Sequence, residues 1–168
     1  FKYFSNFGIG RIPVNILIPS RQGFLAESSL LSERDKVSSC YGYGLSMTAV
    51  QIAQAYQVFA NNGIFKELNL FYDRELSSPK PESRILSEDT TRYINSMLFE
   101  TVNSRSGSAR KARIGGLEVV GKTGTSEKVR NGIKSYTAIF SGFAPAHDPK
   151  LLAVIVLHDL IGKNHSGG

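Results

Sequence analysis

A cation, two hydroxyls and bare backbone come together at Gly121-Lys122-Thr123-Gly124-Thr125-Ser126, directly after the β-rich run Leu117-Glu118-Val119-Val120. Side chains alternate between the two faces of an extended strand, so the hydroxyls of Thr123 and Thr125 share one side. Gly124 between them leaves the main chain accessible to close approach. Such a strand can hold an extended peptide. Its N–H and C=O groups pair with the guest's backbone, the hydroxyls take a terminal carboxylate, and Lys122 supplies positive field nearby. A bare Lys-Thr-Gly also suits a solvated turn, so the elements that position it must decide between the two.

The chain has 168 residues and a formal charge of +6, one domain's worth of sequence with ordinary apolar content. Its basic residues are scattered except for the run Arg105 to Arg113, which Ser106, Gly107 and Ser108 interrupt and which reads as a mobile solvated loop. No aromatic platform interleaves that run, so nucleic acid is not an expected partner. Cys40 is the single cysteine, which excludes an intrachain disulfide and a cysteine-based metal site. His147, His158 and His165 lack ligand spacing, and neither metal nor cofactor is expected. No apolar run approaches the length of a bilayer span.

The opening residues Phe1 to Phe7, followed by Gly8, read as the last turns of a helix with a glycine stop, so the first element is expected to be cut. Residues 9–40 alternate short apolar runs such as Val14 to Ile18 with prolines, glycines and serines, which implies a long irregular connection with one short strand. Thr48 with Gln51 is a capping-box pattern. The helix it opens carries Ala49, Ile52, Ala53, Tyr56, Phe59 and Ala60 on one broad face and stops at Asn62-Gly63. Residues 66–86, with Pro79 and Pro81, fit a strand pair or a surface excursion. Ser87 with Glu88 and Asp89 opens a second helix, with Tyr93, Ile94, Met97, Leu98 and Val102 as its buried stripe and an end near Asn103. After the Lys122 strand, Arg130-Asn131-Gly132 signals a hairpin. Tyr136 to Ala144 and Leu151 to His158 then read as strands apolar on both faces. Such strands need cover on both sides. The fold class is therefore α/β of the α+β type, a central antiparallel sheet with helices on both faces.

Seven segments in order carry a resemblance: Phe7-Gly8-Ile9-Gly10; Tyr41-Gly42-Tyr43-Gly44-Leu45-Ser46 with Thr48 and Gln51; Ala55-Tyr56; Ala60-Asn61-Asn62-Gly63; Gly121-Lys122-Thr123-Gly124-Thr125; Phe140-Ser141-Gly142-Phe143-Ala144-Pro145; and Gly167-Gly168. In order and spacing the chain resembles the class B penicillin-binding proteins of the septal, cell-division type, in which Lys-Thr-Gly is a signature. The resemblance implies the penicillin-binding/β-lactamase-like transpeptidase fold, incomplete at the N-terminus. It implies peptidoglycan D,D-transpeptidation, in which a serine attacks a stem peptide ending in D-Ala-D-Ala and hands the acyl group to a neighbouring amine. β-Lactam antibiotics and division proteins are the further partners it implies. By motif match, Lys122 belongs to the proton and electrostatic network. Thr123, Gly124 and Thr125 bind the substrate, the Thr125 N–H serves as an oxyanion donor, and Tyr43 lines the cleft. The implied location is the bacterial inner membrane, with the catalytic domain in the periplasm and the anchor outside these residues.

The family's order, Ser-x-x-Lys, then Ser-x-Asn, then Lys-Thr-Gly, is not completed within the chain. The nucleophile, its lysine and the second triad are expected upstream of Phe1, making residues 1–168 the C-terminal part of one transpeptidase domain. Pro19-Ser20-Arg21-Gln22-Gly23 lacks the family's usual carboxylate, and His165-Ser166 replace an aromatic pair. Glu127 stands where relatives often carry a base and is expected to repel an anionic ligand. A serine β-lactamase or β-lactam sensor on the same scaffold, and a non-catalytic divisome-binding module, remain alternatives.

Overall fold

The structure, a computed structural model, describes residues 2–12, 21–68 and 82–161. In chain order its elements are α1 (Lys2–Asn6), β1 (Phe24–Leu25), α2 (Glu33–Ser39), β2 (Leu45–Ser46), α3 (Ala49–Ala60), β3 (Ile64–Phe65), β4 (Ser83–Arg84), α4 (Glu88–Asn103), β5 (Val120–Arg130), β6 (Ile133–Ala144) and β7 (Leu151–Leu160). The apolar run Val14 to Ile18, the segments with Pro19, Ser20, Pro79 and Pro81, and His165 to Gly168 lie outside the described residues; within 9–40 the described strand is β1.

The central sheet is antiparallel in the order β5-β6-β7, which leaves β5 on an edge. Asn131 and Gly132 adopt φ of 51° and 75°, the left-handed pair that a two-residue hairpin turn demands, and this pins β5 on β6 without a slip from Val120↔Phe143 to Arg130↔Ile133. Lys122 stands opposite Ser141, Thr123 opposite Phe140 and Thr125 opposite Ala138. The register of β6 on β7 aligns Phe140 with Ile155 and Ala138 with Leu157. One face thus carries Thr123, Thr125, Ala138, Phe140, Ile155 and Leu157, and the other carries Lys122, Ser141, Ile139, Val154 and Val156.

Helix α3 packs against β6 and β7, and α4 packs against β5. Along β7 the alternate residues Leu152, Val154 and Val156 are half-buried while Leu151, Ile155 and Leu157 are exposed, so α3 covers the Lys122 face. On the opposite face the described cover is a 3-10 turn, Arg110–Ala112, at the start of β5. There Val102 and Ala109 join Val119 in a buried cluster with Leu117, Phe140 and Ala144 packed against it. The sheet is flanked by helices as the two-sided apolar strands require, with the cover unequal between faces.

Both helix starts follow the sequence signals. The Thr48 hydroxyl accepts from the Gln51 N–H and the Gln51 side chain accepts from the Thr48 N–H. The Ser87 hydroxyl likewise accepts from the Thr90 N–H. The buried faces differ from expectation. In α3 the deepest residues are Gln51, Gln54, Ala55 and Val58, because the fully buried Gln51 amide donates to the Arg11 and Gln22 carbonyls, both at 2.8 Å, and so turns that face inward. In α4, Thr91 and Val102 are buried whereas Tyr93 and Met97 are exposed, and the side-chain bonds from the helix to β5 come from Thr101 and Asn103 at its C-terminal end. Residues 21–40 carry more regular structure than their composition implied: Ser32 caps α2, accepting from the Asp35 N–H, with Glu33 and Asp35 in the first turn. The run Arg105 to Arg113 is anchored, not a free loop, because Ala109 is buried and its N–H bonds the Thr101 carbonyl at 2.9 Å.

Candidate active site

The end of α4 fixes the side to which each residue of β5 turns its backbone. The Thr101 hydroxyl donates to the Gly121 carbonyl, and the Asn103 amide donates to the Val119 carbonyl at 2.9 Å. Within an antiparallel pair a residue's N–H and C=O point to the same side and alternate along the strand. Odd-numbered residues of β5 therefore face away from β6, and Lys122 and Gly124 belong to the set paired with it. The N–H and C=O groups of Thr123 and Thr125 consequently point out along the sheet edge, with their side chains on a common face. This is the geometry an added extended peptide needs.

Lys122 reaches around the edge, and its ammonium donates to the Thr123 carbonyl at 2.8 Å and lies 3.5 Å from the Thr123 hydroxyl. Cation, hydroxyl and edge backbone are thus in contact. At Gly124 an added Cβ would have only the Ile139 Cβ within 4 Å, at 3.9 Å, so this glycine leaves open space beside Lys122. Glu127, expected to repel an anion, is bonded to Lys134 across the hairpin at 2.9 Å, which offsets its charge locally. That bond pushes the Lys134 ammonium pKa upward.

Tyr43 is placed apart from this strand. It lies in the turn before β2, well exposed, with its ring edge-on to Tyr41 at 5.6 Å, and it lines a cavity with Phe24, Leu31 and Ser38 that includes no residue of β5. Two literal Ser-x-x-Lys quartets escaped the sequence reading. Ser77 to Lys80 lies outside the described residues. Ser108 to Lys111 runs into the 3-10 turn, whose alanines pack on the face opposite Lys122. Neither is followed by Ser-x-Asn before Lys122. Among the described residues no group of three or more His, Cys, Asp or Glu is placed to hold a metal ion, and no helix is long and apolar enough to cross a membrane.

The family model of the penicillin binding protein transpeptidase domain matches residues 1–167. The chain belongs to the penicillin-binding-protein transpeptidase family. Within the family it is of the class B, FtsI-like septal kind. The peptidoglycan D,D-transpeptidase FtsI of Buchnera aphidicola is 34% identical over 168 residues, an alignment covering 96% of this chain and 28% of the relative. The transpeptidase domain of penicillin-binding protein 3 from Burkholderia pseudomallei superposes with a TM-score of 0.84 at 27% identity, covering 94% of this chain and 48% of that structure. Penicillin-binding protein 3 of Mycobacterium tuberculosis in complex with ampicillin superposes at 0.83 with 25% identity, over 94% of this chain and 39% of that one. The chain thus spans under a third of the length of the curated relative and about half or less of these structures. The α+β fold with its flanked antiparallel sheet is the transpeptidase fold of these neighbours.

Proposed function

We propose that residues 1–168 are the C-terminal part of a single transpeptidase domain, and that the complete protein cross-links peptidoglycan during cell division by acyl transfer. In this reading a serine outside these residues attacks the penultimate D-alanine carbonyl of a stem peptide ending in D-Ala-D-Ala. A base takes the serine proton, an ester forms, and the C–N bond breaks as the last D-alanine leaves with a proton on its amine. An amine of a neighbouring strand then attacks the ester and frees the serine. A β-lactam enters by the same first step, its ring C–N bond opening while the acyl group stays on the serine.

On β5, Lys122 supplies the cationic field, the hydroxyls of Thr123 and Thr125 take the terminal carboxylate, and Gly124 keeps the strand approachable. The Thr125 N–H, turned away from β6, serves as an oxyanion donor. Such a donor is worth about 100- to 1000-fold in rate. Tyr43 lines the approach from the turn before β2. Division proteins are the partners, and the domain works in the periplasm from an inner-membrane anchor outside these residues. The observation that carries the reading is the edge strand itself: Lys122 bonded around the edge to Thr123, with the backbone of Thr123 and Thr125 facing outward.

The test is acylation of the complete protein by a fluorescent penicillin, with wild type and Lys122→Met compared. A long-lived label on a serine outside this chain, formed much more slowly by Lys122→Met while its melting is unchanged, is the expected result. Label on Ser108, or a variant as fast as wild type, would refute the assignment. Rapid loss of the label by hydrolysis would point to a β-lactamase instead.

A further inference from the structure

Ser141 is 2% exposed, and its hydroxyl has no hydrogen-bond partner. Buried polar groups in native folds are nearly always bonded, and one left unpaired calls for an explanation. Its strand neighbour supplies one, because Ser141 stands directly opposite Lys122. The alternation that turns Thr123 outward makes Lys122 and Ser141 a backbone-bonded pair, so their side chains project side by side from the same face. The next residue of β5 on that face is Gly124, which places no side chain beside them.

Lys122 at present spends a hydrogen bond on the Thr123 carbonyl. That carbonyl lies on the edge along which a guest backbone pairs, so an arriving guest N–H competes with the ammonium for it. We infer that Ser141 is a positioning residue, whose Oγ accepts a hydrogen bond from the Lys122 ammonium when ligand occupies the Thr123 edge. The flexible stem of lysine, carrying a compact charge with three donors, allows the exchange without moving the strand. This inference rests on the reading of β5 as the ligand strand.

A purely structural serine behaves oppositely. Replacing an unpaired buried hydroxyl by an apolar group is neutral or stabilising and leaves the rate alone. The experiment measures second-order acylation of the complete protein by a fluorescent penicillin for Ser141→Ala, Ser141→Thr and Ser141→Cys, each with its melting curve, in wild-type and Lys122→Met backgrounds. Ser141→Ala should melt no lower than wild type yet acylate about 10- to 150-fold more slowly, the size of one hydrogen bond to a charged group. Thr should restore the rate and Cys, a poor acceptor of near-equal volume, should not. With Lys122→Met already present, Ser141→Ala should cost nothing further, the signature of two residues acting as one unit. A wild-type rate in Ser141→Ala, or the same loss in both backgrounds, overturns the inference while leaving the ligand strand standing. A wild-type protein that takes no label removes the ligand strand, and the role of Ser141 with it.

Discussion

Two glycines on β5 separate folding from function. A Cβ built on Gly121 would lie 2.7 Å from the Phe140 ring tip and 2.7 Å from the Ser141 carbonyl oxygen. The ring can swing aside, but the carbonyl belongs to the backbone ladder and can yield only by opening the pairing of Lys122 with Ser141. Overpacking of this kind costs about 1–3 kcal/mol. At Gly124 the same atom would meet only the Ile139 Cβ, at 3.9 Å, and the residue is absent from the positive-φ glycines. Alanine there is expected to stabilise by about 0.4–1 kcal/mol, through the unfolded chain. The two variants should therefore differ by about 1.5–4 kcal/mol in denaturant unfolding, with Gly124→Ala the more stable. Acylation of Gly124→Ala should go the other way, because its methyl stands beside Lys122 and displaces the ammonium or the ligand. Misplacement on that scale costs about 10- to 100-fold in rate. Measuring both quantities on the complete protein is decisive. A Gly124→Ala protein that acylates at the wild-type rate, or that unfolds as easily as Gly121→Ala, would refute the division of roles.

Burial pushes the Tyr56 phenol up to about 12. Its folded pKa is raised, so its contribution to stability is complete below about pH 10 and is lost as pH rises through about 12, a loss of about 2.7 kcal/mol. Tyr56→Phe should lack that alkaline loss, which unfolding titrations of the two proteins between pH 8 and pH 12 would show. Thr101→Val removes the hydroxyl that meets the Gly121 carbonyl and should lower stability by about 1 kcal/mol; an unchanged denaturant midpoint would mean the contact contributes nothing. The 168-residue chain by itself should take no penicillin label and should aggregate through its exposed Leu151, Ile155 and Leu157, so a labelled serine or a sharp monomeric melt would count against the reading.

Local signals were the legible ones. The Thr48 and Ser87 caps, the Asn62-Gly63 stop and the Asn131-Gly132 turn each depend on a few neighbouring residues, and the structure places helix starts, helix stop and hairpin there. The alternation placing the hydroxyls of Thr123 and Thr125 on one face needed only the strand itself. What failed was burial, which depends on distant partners. Gln51 is fully buried in α3, as Val58 is, because carbonyls at positions 11 and 22 come to it, and nothing in a helical periodicity announces them. Tyr93 and Met97 keep the spacing of a core stripe yet stay exposed, whereas the residues bonded to the sheet, Thr101 and Asn103, are polar. The Arg105 to Arg113 run reads as solvated by its charges, whereas Ala109 and Ala112, the residues that anchor it, carry no signal stronger than their spacing. Ser32 with Glu33 and Asp35 was a readable cap, passed over because only Val37 among the seven residues of α2 is apolar.

The edge of β5 must answer two opposed demands. A strand left open for a peptide is also open to another copy of the chain, and exposed edges are a known route to aggregation. Here α4 shortens the open stretch from one end: Asn103 and Thr101 occupy the carbonyls of Val119 and Gly121, so the first carbonyl that a guest can reach is that of Thr123. Lys122 is folded over that carbonyl, and a charge laid along an edge is a recognised means of discouraging strand pairing. From the other end, Glu127 and Lys134 tie the hairpin together with a charged pair. By the alternation along β5, the residues beyond Gly121 that turn their backbone outward are Thr123, Thr125, Glu127 and Val129, and Lys122 lies over the first of them. On the proposed reading, a guest that carries a carboxylate draws the ammonium off the Thr123 carbonyl, whereas an uncharged strand must displace it without compensation. On the proposed reading, the lysine that protects the edge is also the group that selects what opens it.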